Sequence, residues 1–501
     1  MVHLGHAELR QGPALASGSY RTRRGAGTVP QRPRRRDPRV SNLLAEGERA
    51  SVVLAGEGAL RALADAALAA SDAEETEVFL RTRTYALTRF ANAQIHQNVV
   101  SREARARVRA VRGKRVALSS TDRVDRDGLE RAARSAGELA ERVPENPRFA
   151  GLPEPRAIPS APAAYVERTA VATPLDRAKA AQRICDPARA KKLSAAGFVA
   201  TLVEEVAVAS SKGTWAYWPR TGSEVQVVAI GDDGTAYADR AHADFAALDV
   251  AGAADEAIAK CLIAQKPRDL APGDYEVVLA PYAVSDIVGF LSNQLTGLAV
   301  EEGRSWVGGK IGERVTGPVT LVDDAFDPEG YPQPFDYEGQ PTERVTLIED
   351  GVARGLVYDS QTAHRMNARN TGHALPANPF LPVAPMHVRL EPGDKSRQEL
   401  VGAVKRGVLV TRFHYTRWVH QLRTIVTGMT RDGTFLIENG ELAHPVKNFR
   451  FTQSYADALG GTLGIGRDLS LVDELLAIAG MSRRVPALRL ARFAFTGATR
   501  Y

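Results

Sequence analysis

Residues Asp274 to Asp324, DYEVVLAPYAVSDIVGFLSNQLTGLAVEEGRSWVGGKIGERVTGPVTLVDD, open with an apolar run from Tyr275 to Leu279. Ile287, Phe290, Leu291, Leu295 and Leu298 follow at helical spacing, and the chain leaves through Gly308-Gly309 toward a second strand-like run, Val315 to Val322. Strand, helix and loop in that order present a helix on a sheet. The helix carries little chemistry, since no His lies between Asp286 and Gly303.

Before this stretch, Glu57 to Ala70 and Asp127 to Arg142 read as helices, and Glu77 to Leu80, Ala93 to Val99, Ala106 to Val111 and Arg115 to Leu118 as strands. Prolines at 144, 147, 153, 155, 159 and 162 mark a crossing between regions. Thr173-Pro174 and Asp186-Pro187 each pair a capping residue with a first-turn proline, which predicts two successive helices, the second ending at Gly197. From Phe198 the period becomes that of strands, in four runs divided by Ser/Lys/Gly, Thr221-Gly222 and Asp232-Asp233-Gly234, before a helix from Asp255 to Gln265. Trp215, Tyr217 and Trp218 read as packing residues of this meander. After the quoted stretch, Asp350-Gly351, Asp432-Gly433 and Asn439-Gly440 are turn signals, and Leu469 to Ala479 is helix-like.

The predicted class is α+β, a mixed α/β N-terminal region followed by a β-rich C-terminal domain. Its expected divisions are a basic tail (1–40), an N-terminal α/β domain (41–143), a Pro-rich linker (144–162), a helix-plus-meander region (163–268) and the β-rich domain (269–501). The tail holds nine Arg against Glu8 and Asp37, so it carries +7 and leaves the rest of this +6 chain at −1. A near-neutral body argues against a nucleic-acid binder with a wholly basic surface. The tail lacks the apolar core of a secretory signal and has too few large apolar residues to fold alone. No run approaches 18 apolar residues, and Cys185 and Cys261 form no C-x-x-C pair, so a reducing cytoplasm is the expected compartment.

LTRFANAQIHQNVV (Leu87 to Val100), FDYEGQPTERVTLIEDGVARGLVYDSQTAHRM (Phe335 to Met366) and GMTRDGTFLIENGELAHPVKNFRFTQSYADAL (Gly428 to Leu459) closely resemble the ordered signatures of the TldD/PmbA family of zinc-dependent peptidases and peptidase-like proteins. The matches span residues 75 to 465. In active members the helix of the quoted stretch carries H-E-x-x-x-H, and a Gly-rich C-terminal loop supplies a Cys ligand. With VVLA and GGKIGE matched as flanks, Gly289 and Phe290 stand at the first His and the Glu, and Gln294 at the second His. Leu463 in GGTLGIG stands at the Cys. A hydrolytic zinc needs about three protein ligands and an open position. No zinc is therefore expected in this chain.

The resemblance implies the motif-lacking partner, similar to PmbA/TldE, of a heterodimer that degrades small unfolded peptides, with zinc in a related H-E-x-x-x-H subunit. The alternative is a homodimer that binds peptides or a small molecule without hydrolysis. Arg412, His414, Tyr415, Arg417, Trp418 and His420 mix cations and aromatics suited to gripping an extended peptide. A displaced metal site would draw on His414, His420 and His444, although six residues of strand separate the first two by about 20 Å. Asp323, Asp324 and Asp327 suggest a hard-cation site or, more simply, a solvated turn. His96 reads as a strand residue with a local hydrogen bond.

Overall fold

The computed structural model describes residues 54–376, 382–473 and 481–498, all within one compact unit. The expected basic tail lies outside the described residues. α1 (Glu57–Ala70), β1 (Glu75–Ala91), β2 (Gln94–Arg112), β3 (Arg115–Thr121) and α2 (Arg126–Arg142) precede the proline-rich segment. α3 (Glu167–Ala170), α4 (Pro174–Ala190), β4 (Ser194–Ser210), β5 (Trp215–Ile230), β6 (Thr235–His242) and α5 (Val250–Ile263) follow it. One antiparallel sheet, ordered β3-β2-β1-β4-β5-β6, runs through both groups. Val78, Leu80, Val108, Val199, Val225 and Val227 face the helices. Phe79, Val206, Val208 and Ala216 point the other way, against Phe335, Tyr337 and Met386 of the C-terminal region. Covered on both faces, β4 is buried without alternation from Val199 to Ser210.

The C-terminal region begins with β7 (Gly273–Leu279), α6 (Pro281–Ser292) and α7 (Gly297–Glu301), then β8 (Leu321–Asp323), β9 (Val345–Glu349), β10 (Val352–Ala353) and α8 (Ser360–Arg365). β11 (His387–Leu390), α9 (Arg397–Gly402), β12 (Arg406–His420), β13 (Ile425–Glu438), β14 (Glu441–Pro445), β15 (Phe449–Ser454) and α10 (Tyr455–Gly460) come next. β16 (Thr462–Ile465), β17 (Ser470–Asp473), β18 (Ser482–Val485) and β19 (Leu488–Ala498) complete it. One sheet is ordered β10-β9-β8-β11-β18-β17. In the other, β12-β7-β19-β15-β13, the β12–β13 pairing closes the strands into a ring around Phe413, Phe449, Phe451 and Phe493. The α+β expectation holds, with the β-rich region C-terminal.

Tertiary pairing overrides several local readings. The helix from Ile287 to Leu298 is two helices, because Val357 donates to Leu295 O and its carbonyl accepts from Gly297 N, pulling Thr296 into a bridge. Thr296 then caps α7 at Ala299 N. The run Val315 to Val322 is a strand only over Leu321–Asp323, since Pro318 offers no N–H and Val315 and Thr316 donate to Gly351 O. Asp186-Pro187 starts no helix; Pro187 sits in the last turn of α4, where its missing N–H costs one bond. Gly197 and Thr221-Gly222 lie inside β4 and β5, the latter pair opposite Leu202 and Val203. Asn92 and Ala93, both at positive φ, turn the β1–β2 hairpin, so β2 begins at Gln94 rather than Ala93. Asp432-Gly433 is a bulge within β13 opposite Thr411, whereas Asp350-Gly351 and Asn439-Gly440 do turn hairpins. Residues 470–473 of the expected last helix are strand β17, paired with β18; the rest of that helix falls largely outside the described residues.

Candidate functional site

α6 follows directly on β7, a strand paired with both β12 and β19, and Pro281 fixes its first turn. Ile287, Val288 and Leu291 anchor it in the core. Ser285 and Gly289, one turn apart, face β18: Arg483 Nε donates to Ser285 Oγ at 2.9 Å, and a Cβ on Gly289 would stand 3.0 Å from the guanidinium. Glycine makes room there for a cation. On the neighbouring face Asp286 accepts from Tyr455 OH at 2.6 Å and from Thr416 Oγ1 at 2.7 Å. Burial and then Asp286 hold the Tyr455 phenol well above its ordinary pKa. Phe290 meets Trp418 edge-on at 4.9 Å and Tyr455 at 5.8 Å.

Gln294 lies beyond the helix end, buried, with Oε1 unpartnered. Leu463 sits on β16 with 52% of its surface exposed. Gly289 and Phe290 therefore share the helix with Asp286, Gln294 follows as a buried amide, and Leu463 is a surface residue. This set does not fit a catalytic zinc: it offers no imidazole or thiolate, and a guanidinium fills the space beside Gly289. Among the described residues, no group of three or more His, Cys, Asp or Glu is placed to hold a metal.

The outer half of β12 divides the peptide-gripping candidates. Arg412 turns inward, its Nε donating to buried Asp432 at 2.7 Å while its guanidinium lies 4.1 Å over the Tyr237 ring. Thr235 Oγ1 donates to the same carboxylate at 2.6 Å, so Arg412 ties β6 to the β12–β13 pair. Trp418 packs on Phe290, leaving Tyr415, Arg417 and His420 exposed and His414 half-buried. Burial, with Arg431 and Arg412 nearby, lowers the His414 pKa. Tyr415 adopts φ 56, and bulges between His414 and Arg417 and between Trp418 and His420 break the alternation that puts His414 and His420 on one face. His444 Nδ1 faces the Pro445 carbonyl on β14. The Arg417 guanidinium covers the Tyr415 ring at 4.3 Å, and Val419 and Leu422 continue an exposed apolar tip.

Asp323, Asp324 and Asp327 are neither a cation site nor a solvated turn. Asp323 is fully buried, with His373 Nε2 at 3.1 Å and His387 N donating at 3.0 Å. Asp327 accepts from Arg389 at 3.0 Å and from Arg484 at 2.6 Å. Protein cations fill the role a metal would take. Burial pushes both thiols up, Cys261 to about 11, which disarms them as nucleophiles. Trp215 and Trp218 donate to Glu57 and to the Pro332 carbonyl, and Tyr217 to Glu205, as packing residues do. His96 is exposed on β2.

Two features escaped the sequence reading. Arg109 on β2 is held between Glu77 at 2.6 Å and Glu338 at 3.2 Å, joining the first sheet to the C-terminal region. Burial opposes its charge, but the two carboxylates outweigh it and raise the pKa. A cleft of about 800 Å³ also opens between the β5–β6 turn and β13–β15, lined by Asp232, Asp233, Arg431, Lys447 and Arg450. Each feature brings together residues about 200 or more positions apart, so spacing along the chain gave no sign of them.

Family models of the PmbA/TldA metallopeptidase match in three parts: domain 1 over residues 76–140, the central domain over 162–265 and the C-terminal domain over 272–497. A metalloprotease from Methanothermobacter thermautotrophicus is 28% identical over 206 residues, covering 40% of this chain and 44% of the relative. The metalloprotease PmbA of Escherichia coli O157:H7 is 23% identical over 207 residues, 40% and 43% of the two chains. These matches span less than half the length of either relative. In fold the chain is similar to TldE from Thermococcus kodakarensis, with a TM-score of 0.80 and 20% identity over 87% of this chain and all of that one. By the three domain matches, which together cover most of its length, this chain belongs to the PmbA/TldD metallopeptidase family.

Proposed function

We propose that this chain is the subunit without zinc in a heteromeric peptidase that degrades small unfolded peptides, working beside a related subunit that carries H-E-x-x-x-H and the metal. The Arg483 guanidinium packed against Gly289 carries the reading, because a fixed cation repels a divalent metal and replaces the ligand face of the helix. The chain's own contribution is to wall the substrate chamber and hold an extended peptide. Among the described residues, β2 from Gln94 to Arg105 pairs with β1 on one side only, since β3 begins its pairing at Ala106. Those free backbone groups can accept an added strand, giving affinity through main-chain hydrogen bonds. The exposed tip at Tyr415, Val419 and Leu422 suits contact with the second subunit. A reducing cytoplasm is the proposed compartment, supported by two buried free cysteines; among the described residues no helix is long and apolar enough to cross a membrane.

The test purifies this chain alone and together with an H-E-x-x-x-H relative from the same cell, and measures zinc per chain, peptide hydrolysis and mass. The expected result is neither zinc nor cleavage alone, and both in a stable mixed complex. Stoichiometric zinc with chelator-sensitive cleavage by this chain alone would overturn the reading. A metal-free homodimer that binds peptide and ignores the relative would favour the non-hydrolytic alternative.

A further inference from the structure

The cleft between the β5–β6 turn and β13–β15 carries opposite charge on its two sides. The turn supplies Asp232 and Asp233, and the strand side supplies Arg431, Lys447 and Arg450. Met429, Pro267, Pro445 and Val446 add apolar surface to the same space. None of the lining residues belongs to α6 or to the edge of β2. A volume of about 800 Å³, with apolar surface beside a few charged groups at the junction of two parts of a fold, is the usual form of a small-molecule site.

The two sets of charge do not neutralise each other. Among the described residues no carboxylate of the turn lies within 4.0 Å of a cation of the strand side, and Asp232, Asp233 and Arg450 form no ion pair at all. Asp233 accepts the Lys266 backbone N–H at 2.8 Å. Lys447 reaches Asp269 at 2.9 Å, but that carboxylate is 82% exposed, and such surface pairs are worth little. The third carboxylate of the cleft, Asp432, lies 3.7 Å from Arg431 and is already held by Arg412 and Thr235. Acids on one side and cations on the other therefore face whatever enters between them.

We infer that the cleft is a binding site for short peptides with free termini, the ammonium group meeting Asp232 and Asp233 and the carboxylate meeting Arg431, Lys447 and Arg450. Its volume equals that of a cube about 9 Å on a side, and an extended tripeptide is about 10 Å from end to end. A single amino acid, with about 3.4 Å of rise, is too short to engage both sides. Guanidinium groups suit a terminal carboxylate because they donate two parallel charge-assisted hydrogen bonds. Apolar side chains of the ligand then rest on Met429, Pro267 and Val446. The cleft is built from this chain alone, so the inference does not depend on the subunit role proposed above.

The full chain is titrated calorimetrically with Ala-Leu-Ala carrying free termini, with its N-acetyl form, with its C-terminal amide and with the doubly blocked peptide. Expected is binding of the free peptide about tenfold tighter than of either singly blocked form, with the gap narrowing in high salt. The variant K447Q/R450Q should bring the free and amidated peptides within about twofold and keep the preference over the acetylated one, and D232N/D233N should do the converse. Both variants should retain the thermal midpoint, since none of the four side chains is buried. Equal binding of all four peptides would overturn the inference and fit pairing at the edge of β2 instead. A preference for free termini that survives both variants would place the site elsewhere and overturn it too. An acetylated peptide that binds as tightly as the free one would make the cleft a site for anions only, against the inference. Failure of every peptide to bind would remove it and leave the subunit role to its own test.

Discussion

A methyl group at Gly289 would press on the Arg483 guanidinium, and three residues earlier, on the neighbouring face, Asp286 binds two hydroxyls, so the chemistry of α6 is decided atom by atom. Tyr455 is fully buried, and deleting its carboxylate partner strands the phenol without that bond. Asp286→Ala should cost about 2 kcal/mol of stability. In a double-mutant cycle with Tyr455→Phe, urea unfolding should give a coupling of about 1 kcal/mol, and simple additivity would dismiss the contact. His387 offers a second test. It is buried with an unpartnered Nε2, and burial pushes its pKa down to about 4; Asp323 and Asp327 pull the other way, while Arg220 and His373 oppose a further positive charge. Between pH 6.5 and 4 the unfolded chain binds this proton and the folded one does not. Stability from this residue is therefore complete above pH 6.5 and lost as the pH falls toward 4, by roughly 3 kcal/mol in all. Unfolding free energies at pH 7, 5.5 and 4.5 should fall more steeply for the native protein than for His387→Gln, and parallel curves would contradict the assignment. Neither residue could be singled out from the sequence. An Asp at a half-buried helical position and a His in a short strand look ordinary until their neighbours are known.

At the scale of elements, α1 shows how a legible helix depends on a distant partner. Its span from Glu57 to Ala70 follows from Leu and Ala spacing alone, yet its N-cap is Gly56, which has no side chain to satisfy the first N–H groups. Glu205 on β4 instead fixes the chain's entry into the helix, accepting from Ala55 N and Gly56 N at 2.8 Å each while also binding Thr82 and Tyr217. Glu205→Ala should destabilise by about 2 kcal/mol, read as a lower urea midpoint, and Glu205→Gln by less, because the amide oxygen still accepts. Equal losses would show that packing, not capping, is at stake. Turn signals divide in the same way. Asn439-Gly440 and Asp350-Gly351 turn because positive φ is all a two-residue hairpin asks. Asp432-Gly433 has the same dipeptide chemistry, but its neighbours on both sides pair with β12, and Arg412 and Thr235 hold Asp432 inward. The dihedral preference was readable in the residues; the choice between turn and bulge belonged to the partner strand.

For the whole molecule, Arg109 is the fastening between the first sheet and the C-terminal region, beside the apolar contacts of Phe79 and Val208 with Phe335 and Tyr337. Arg109→Ala leaves two buried glutamates without their shared cation and should cost roughly 3–5 kcal/mol. Differential calorimetry should show one cooperative transition in the native protein, moved to lower temperature in the variant; an unchanged midpoint would mean that the apolar contact alone holds the two regions together. By itself the sequence determined the α+β class, most of the elements and, through three long signatures, the family, because periodicity, turn chemistry and motif order are local properties of the chain. Only the tertiary structure decided that one sheet spans the proline-rich segment, that Arg412 faces inward, and that a guanidinium lies beside Gly289. Each of those depends on residues tens to hundreds of positions apart meeting at contact distance, which no local pattern encodes.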